Sequence, residues 1–300
     1  MLKIAFNSNY VLPLPEGHRF PMIKYELLPQ QLIREGIVTE ENFFQPDKAE
    51  ESTILRTHSE TYWDKLKSLS LTRKEERRTG FPLTRELIER EITILQGTIE
   101  ASVFALEYGV AFNIAGGTHH AYTDRGEGFC ILNDNACAAN YLLDNELAKQ
   151  VLVVDLDVHQ GNGTAEIFQN EPRVFTFSMH GKDNYPMHKE QSDLDIEIPT
   201  GTTDEAYLEV LQSNLESLLK SVKPDFIFYQ AGVDVLETDK LGKLSLSIEG
   251  CAERDLIVFE TCKKHAVPVC VTMGGGYSPQ IKHILDAHVN TYKIASEVIL

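Results

Sequence analysis

The sequence lacks the apolar run of about eighteen residues that a membrane-spanning helix needs, so we expect no membrane span. It has no Gly/Ser-rich linker, low-complexity tract or internal repeat, which favours a single domain over residues 1–300. Its five cysteines are odd in number and form no C-x-x-C pair, which is typical of a reduced, cytoplasmic protein. The opening MLKIAFNSNY is too short and too polar for a secretory signal, and it predicts a first β-strand.

Cationic side chains are also in short supply: 28 Lys and Arg face 45 Asp and Glu, which gives a formal net charge of −17. Nucleic acid is therefore not an expected partner, because phosphate neutralisation needs clustered Lys and Arg. The acidic balance favours cationic substrates through long-range steering, and it equally provides solubility. The one basic run, TRKEERRTG (Thr72 to Gly80), is interleaved with acidic residues and is predicted to be a solvated loop.

Short β-branched runs alternate with helical patterns along the chain. Strands are predicted at VAFNIAGG, VLVVDLD, VFTFSMH, DFIFYQAG and VPVCVTMGGG, and helices at TRELIEREITILQGTIEASVFALEYG, EAYLEVLQSNLESLLKSV and CAERDLIVFETCKKH. Nearly continuous apolar strands separated by helices indicate a parallel sheet covered on both faces, which is the α/β class. Ligands of such sheets bind beyond the carboxyl ends of the strands.

Polar residues follow four of these predicted strands. They are the adjacent pair His119 and His120, the alternating series Asp155, Asp157 and His159, the single Asp234, and Tyr277 after three glycines. Asp155, Asp157 and His159 are predicted to continue one strand, so their side chains are expected to point to the same face of the sheet. Because the carboxyl ends of parallel strands lie at one edge, we expect all four groups to converge there.

Three of these residues have the composition of a catalytic metal site. Asp157, His159 and Asp234 offer two carboxylates and one imidazole, which suit zinc or ferrous iron, and three protein ligands leave a position open for water. A neighbouring histidine can accept the proton of that water, and the Tyr277 hydroxyl can donate to a developing oxyanion. Taken singly, a buried histidine pair or a Gly-Gly-Gly-Tyr turn is more often structural. The carboxylates are harder to explain that way, because buried charges need a partner.

The ordered motifs GGTHHA, GEGFCILND, VDLDVHQGNG, YQAGVDVLETDKLGKLSLS and GGGY resemble the signature of the histone deacetylase family over about residues 3–295. HQGNG and AGVDVLETDKLG are most similar to the class IV enzymes and their bacterial relatives, and LPLPEGHRFPMIKY is similar to the first loop of bacterial members. The resemblance implies the arginase/deacetylase fold, a single three-layer α/β/α domain with a mainly parallel sheet of about eight strands.

The resemblance also implies a role for each matching residue. The zinc ligands would be Asp157, His159 and Asp234. His120 would be the general base, and His119 would help to position and polarise the water and the leaving group. Asp155 would orient His119, and the Tyr277 hydroxyl would stabilise the oxyanion. A potassium site would comprise Asp155, backbone oxygens of Asp157 and His159, and groups from Ser178 and Met179. The acyl-lysine tunnel would be lined by Gly128, Phe129, Tyr185, Gly275 and Gly276, and Arg19 would lie beside an internal channel for the released acid.

Two residues depart from the family pattern. Asn162 stands where many class I members have an aspartate beside the general base, so His120 is expected to titrate differently here. Gly275 stands where class IV enzymes commonly have serine, which bears on acyl-chain preference.

The expected activity is zinc-dependent removal of acetyl or longer acyl groups from lysine ε-amines of proteins or peptides. An amidohydrolase acting on acetylpolyamines or other small amines is the alternative, and an inactive acyl-lysine-binding scaffold is a remote one. A ureohydrolase with two manganese ions would need more carboxylates than this series supplies. Acyl length, the metal used in the cell and the oligomeric state are left open by the sequence.

Overall fold

Eight parallel strands flanked by helices form the framework of the protein in a computed structural model that describes residues 1–300. The strands are β1 (Lys3–Ala5), β2 (Phe43–Phe44), β3 (Val110–Asn113), β4 (Val151–Asp155), β5 (Val174–Gly181), β6 (Leu194–Ile198), β7 (Phe226–Gln230) and β8 (Val269–Thr272). The α-helices are α1 (Lys24–Arg34), α2 (Glu51–Ile54), α3 (Glu60–Lys67), α4 (Arg73–Thr79), α5 (Arg85–Tyr108), α6 (Asp134–Asp144), α7 (Asn162–Phe168), α8 (Asp204–Val222), α9 (Ile248–His265) and α10 (Ile281–Ile299).

The strand order β2-β1-β3-β8-β7-β4-β5-β6 places the chemically distinctive strands next to each other. β4 pairs with β7 on one side and β5 on the other, so Asp155 lies opposite Gln230 and Ser178. β7 pairs with β8, and β8 with β3, all in parallel register. The segments that follow β3, β4, β7 and β8 therefore emerge at one edge of the sheet, as the sequence predicts.

Burial explains the composition of the central strands. Every residue of β3, β4, β7 and β8 is buried, which accounts for their nearly continuous Val, Ile, Leu and Phe. The longest helix, α5, is capped by the Thr84 side chain and ends at Gly109, whose positive φ of 86° suits glycine. The predicted α/β class and the parallel sheet of about eight strands are confirmed.

Two local predictions were wrong. The basic run is not a loop: residues Arg73–Thr79 form α4, because Thr72 and Glu75 make a capping box and Gly80 ends the helix with φ 80°. Strand β4 ends at Asp155, so Asp157 and His159 lie in the loop after it and not on the strand. The apolar pattern also missed the short β2 and the half-exposed edge strand β6.

All five cysteines are buried and unpaired. No helix combines the length and the apolar character that crossing a membrane requires.

The central strands should dominate stability. Leu152 on β4 is 0 % exposed, whereas Leu55 is 37 % exposed. Leu152→Ala is expected to lower the free energy of unfolding by about 2–5 kcal/mol, because it removes buried methylene groups and leaves a cavity. The matched Leu55→Ala should change it by less than about 0.5 kcal/mol. Urea denaturation measures both, and equal losses would contradict the placement of the core.

Candidate active site and metal centre

Three side chains from two loops converge at the carboxyl edge of the sheet. One ligand atom from each of Asp157, His159 and Asp234 lies within 4.8 Å of the others, and all three residues are buried. The Nδ1 atom of His159 is 3.0 Å from Asp157 Oδ1 and 3.1 Å from Asp234 Oδ2. Two oxygens and one nitrogen at this spacing fit the donor set of a zinc or ferrous ion, with room for a further ligand.

The electrostatics of this cluster call for a cation. Burial and the neighbouring Asp157 carboxylate raise the pKa of Asp234 to about 7. Burial opposes the imidazolium form of His159, but hydrogen bonds to Asp157 and Asp234 outweigh it and raise the pKa to about 10. Two carboxylates that lie together away from water need a positive partner, which the protonated His159 supplies, and a divalent ion bound by the neutral imidazole would take the place of that proton.

Backbone amides hold these carboxylates in place, and a glycine leaves the space that they occupy. Gly275 N donates to Asp157 Oδ2 at 2.8 Å, and Val158 N donates to Asp234 Oδ1 at 3.0 Å. A Cβ atom at Gly275 would lie only 2.0 Å from Asp234 Oδ2. Glycine is therefore required at this position in the present geometry.

Arg254 on α9 connects the two metal-ligand loops, and sequence reasoning missed it. It is 0 % exposed, and its Nη1 donates to Gly232 O at 2.6 Å and to Leu156 O at 3.3 Å. These carbonyls precede Asp234 and Asp157 along the chain. Asp255 neutralises the guanidinium at 2.8 Å, and both residues are fully buried. The sequence feature that could have indicated this role is the adjacent Arg254 and Asp255 in the middle of a helix that is otherwise about half apolar.

The two adjacent histidines have different partners. His119 Nδ1 lies 2.7 Å from Asp155 Oδ2, whereas His120 Nδ1 lies 2.6 Å from Asn162 Oδ1. Burial opposes a charge on His119, but Asp155 and Asp157 raise its pKa to about 9. Burial and the nearby His119 lower the pKa of His120 well below its usual range. Oppositely shifted neighbours suit one proton donor and one proton acceptor.

Asn162 continues into a chain of hydrogen bonds. Its Nδ2 donates to the Tyr122 hydroxyl at 2.8 Å, and that hydroxyl donates to Glu190 Oε1 at 3.1 Å. This fixes the amide so that Oδ1 faces His120, whose Nδ1–H then donates and whose Nε2 keeps its lone pair. Sequence reasoning missed Tyr122, although it stands two residues after His120, and it missed Glu190, which no local pattern marks.

Tyr277 is anchored from both sides. Its backbone N–H donates to Asp239 Oδ2 at 2.6 Å, and its ring centroid lies 6.4 Å from that of His159. Beneath it, the buried Lys24 donates to Gly274 O at 2.9 Å and so supports the glycine turn. Burial and the nearby Asp234 raise the pKa of Tyr277 well above its usual range, so its hydroxyl stays protonated and can donate.

A pocket of about 560 Å³ leads from the surface to His120, His159 and Tyr277. Phe129 and Tyr185 form its aromatic sides, and the Tyr185 ring centroid lies 5.0 Å from that of His120. Gly128 lies between Phe129 and His120, and a Cβ there would approach His120 Cδ2 to 2.7 Å. Glycine thus permits the close approach of this wall to the imidazole.

A small inner cavity of about 30 Å³ begins at Asp157, His159 and Tyr277, which themselves line it. Tyr25, Arg90 and Cys130 lie along it. Since one water needs about 10–15 Å³ on the same measure, this cavity has room for about two. Arg90 is 2 % exposed and was missed by sequence reasoning.

Arg19 does not lie beside this inner cavity, which corrects the expectation from the sequence. It is exposed at the outer pocket, with its guanidinium 5.2 Å from the Phe129 ring centroid. The reason is local: the next residue, Phe20, turns inward and is 8 % exposed, so Arg19 turns outward. Arg90 occupies the internal position.

Three other expected residues lie near the site without lining its pockets. Gly276 packs against Val233, whose Cγ2 would lie 2.6 Å from a Cβ at Gly276. Ser178 lies opposite Asp155 on β5, and its hydroxyl is 3.0 Å from His180 Nδ1. Met179 is buried next to it.

Comparison with solved structures identifies the fold. A histone deacetylase homologue in complex with SAHA superposes with a TM-score of 0.85 at 24 % identity, over 99 % of this chain and 84 % of that one. A homologue from Aquifex aeolicus superposes with a TM-score of 0.83 at 23 % identity, over 98 % and 84 %.

Sequence comparison identifies the family. A protein of Picosynechococcus sp. described as uncharacterized is 43 % identical over 295 residues, covering 98 % of each chain. Histone deacetylase 2 of Arabidopsis thaliana is 30 % identical over 288 residues, covering 92 % of this chain and 74 % of that one. Acetoin utilization protein AcuC of Staphylococcus aureus is 27 % identical, covering 87 % and 72 %. The family model of the histone deacetylase domain matches residues 18–292, and the chain therefore belongs to the histone deacetylase family.

Proposed function

We propose that this hydrolase of the histone deacetylase family is a zinc-dependent enzyme that removes a short acyl group, acetyl above all, from lysine ε-amines of proteins or peptides. The observation that carries the proposal is the buried Asp157–His159–Asp234 cluster at the end of an aromatic-walled pocket. Ferrous iron is the second candidate for the ion, because the same donor set accommodates it. The ion, when bound, would polarise the substrate carbonyl and lower the pKa of water.

The chain's own residues would divide the proton transfers. His120, with its Nε2 lone pair free, accepts the proton of the attacking water as that oxygen bonds to the carbonyl carbon. His119, held as an acid by Asp155, donates a proton to the amine nitrogen as the C–N bond breaks. The Tyr277 hydroxyl donates a hydrogen bond to the oxyanion between these two events.

The inner cavity supports a short acyl group. The cavity of about 30 Å³, whose lining includes Asp157 and His159, has room for only a few atoms, which favours an acetyl group over a long hydrocarbon chain in this arrangement of side chains. A small acylated amine, such as an acetylpolyamine, is the alternative substrate, and the net charge of −17 is the observation that favours it.

Two further proposals concern the setting of the site. The five buried, unpaired cysteines support a reducing cytoplasmic location.

A potassium ion, if bound, would use the Asp155 carboxylate, backbone oxygens of Asp157 and His159, and groups of Ser178 and Met179, because Ser178 lies opposite Asp155 in the sheet.

Metal analysis tests the first step. The protein is expected to bind one divalent ion per chain, since one buried three-residue cluster provides the ligands. His159→Ala should weaken binding at least about 100-fold, because even changes around the ligands cost about 10–100-fold. Chelator competition on the metal-free protein measures the affinity, with His265→Ala as the control. A stoichiometry near two would contradict the proposed site.

Peptide assays test the reaction. Acetyl-lysine peptides should be hydrolysed faster than myristoyl-lysine peptides and than acetylated polyamines, measured as kcat/KM. Tyr277→Phe is expected to lower kcat about 100-fold or more, because it removes a donor to the oxyanion. Tyr108→Phe is the matched control on α5. Near-normal turnover by Tyr277→Phe would exclude the assigned role, and a higher kcat/KM for polyamines would favour the alternative substrate.

The amide beside the general base sets the pH dependence. A carboxylate in Asn162→Asp would favour the imidazolium of His120 and raise its pKa, by about one unit or more. Because the base must be unprotonated, the acidic limb of the kcat/KM profile should move to higher pH. Asn145→Asp, on the surface, provides the control. An unshifted limb would mean that His120 is not the group that accepts the proton.

A further inference from the structure

The mouth of the outer pocket differs in charge from the rest of the protein. The whole chain has 45 acidic against 28 basic residues, yet the charged side chains around this pocket are three cations and two carboxylates. They are Arg19, Arg78, Lys243, Glu127 and Asp183.

One of the two carboxylates is already compensated by the protein. Glu127 is 13 % exposed, accepts a hydrogen bond from Arg125 Nε at 2.9 Å, and accepts another from the Tyr185 hydroxyl. Arg125 thus compensates its charge. Asp183 is exposed and accepts from the Thr200 hydroxyl at 2.8 Å, which does not neutralise it, so one uncompensated carboxylate stands among the cations of the mouth.

Two of the cations, in contrast, have no carboxylate partner. Arg19 is exposed, rests on the Phe129 ring and forms no ion pair. Lys243 is exposed and is held at the mouth by the backbone, because its Nζ donates to Asp183 O at 2.6 Å. A carbonyl fixes the position of an ammonium group without neutralising it. These two charges remain available to a ligand.

The cationic surface continues into a neighbouring groove of about 710 Å³. The groove shares Asp183, Asn184, Met187 and Lys243 with the outer pocket, so the two are contiguous. It adds Lys182, Lys189 and Glu197. Lys182 is exposed and forms no ion pair, whereas Lys189 donates to two backbone carbonyls, of Asn184 and Pro186.

We propose that this cationic rim, defined as Arg19, Lys182 and Lys243, selects acyl-lysine peptides in which acidic residues flank the acyl-lysine. The inference rests on the proposed function. With the acyl-lysine side chain in the pocket, residues one to three positions away lie within about 4–11 Å of it along an extended chain, which reaches the rim and the groove. Complementary charge there aids association and orientation, and a like charge opposes them. The rim therefore disfavours polycationic amines, despite the acidity of the whole chain.

Three matched acetyl-lysine peptides test the proposal, with Glu, Ala or Lys at the two positions on each side. The expected order of kcat/KM is Glu, then Ala, then Lys, with about tenfold between the extremes at low salt and less at high salt, because exposed charges are screened. Equal values, or the reverse order, would overturn the rim proposal. Hydrolysis of the Ala peptide reports on the proposed function separately, and if no peptide is cleaved, that function itself fails.

Variants assign the preference to the rim. The Glu-to-Lys peptide ratio should fall toward one in Arg19→Gln/Lys243→Gln and should invert in Arg19→Glu/Lys243→Glu. Lys220→Gln, an exposed lysine on α8, should keep the parental ratio. Each ratio is taken within one variant, so a general loss of activity does not affect it. A parental ratio in both double variants would contradict the assignment.

Discussion

The rest of the structure depends on the compensation of two carboxylates that are buried side by side. Asp157 and Asp234 lie on either side of His159 Nδ1, away from water. Such charges are costly unless they are paired or bind a metal. The surroundings serve that requirement: Val158 N and Gly275 N donate to the carboxylates, and Arg254 holds both loops through their carbonyls. The binding of a divalent ion would complete the same compensation.

The two neighbouring histidines show how different hydrogen-bond partners make adjacent imidazoles chemically different. His119 contacts a carboxylate and His120 contacts an amide, and their pKa values move in opposite directions. Their rings are 4.1 Å apart, so a charge on one also disfavours a charge on the other. The chain through Asn162, Tyr122 and Glu190 fixes the orientation of the amide and thereby the tautomer of His120.

Net charge proved to be a poor guide to the surface at the pocket. The sequence total favours a cationic ligand, but Lys243 and Arg19 stand unpaired at the mouth while Glu127 is compensated within the protein. Long-range steering depends on the sum of charges, whereas recognition depends on those within a Debye length of the ligand, about 8–10 Å. The second quantity requires positions, which composition does not contain.

Much of the architecture follows from the sequence itself, because local physical rules suffice for it. Buried parallel strands need continuous apolar runs, so β3, β4, β7 and β8 were predictable, and parallel strands place the residues after them at one edge. The Asp157–His159–Asp234 cluster and the histidine pair followed from that rule together with the family motifs. Prediction from local sequence patterns failed at α4, where a capping box stabilises a helix in a highly charged segment. It also failed at the edge strand β6, most of whose residues are only partly buried, so that it lacks a continuous apolar run.

Only the tertiary structure decided which distant residues support the site. Arg254, Arg90 and Glu190 act through contacts with loops far away in sequence, and no period or spacing marks such contacts. The position of Arg19 was also decided by packing. The family resemblance implied a place beside an internal channel, but the Arg19 side chain points outward because Phe20 takes the buried position. The sequence by itself determined the sheet and the identity of the reactive groups, since these depend on neighbours along the chain. Packing decided the pKa shifts of these groups and the size of the inner cavity, since these depend on neighbours in space.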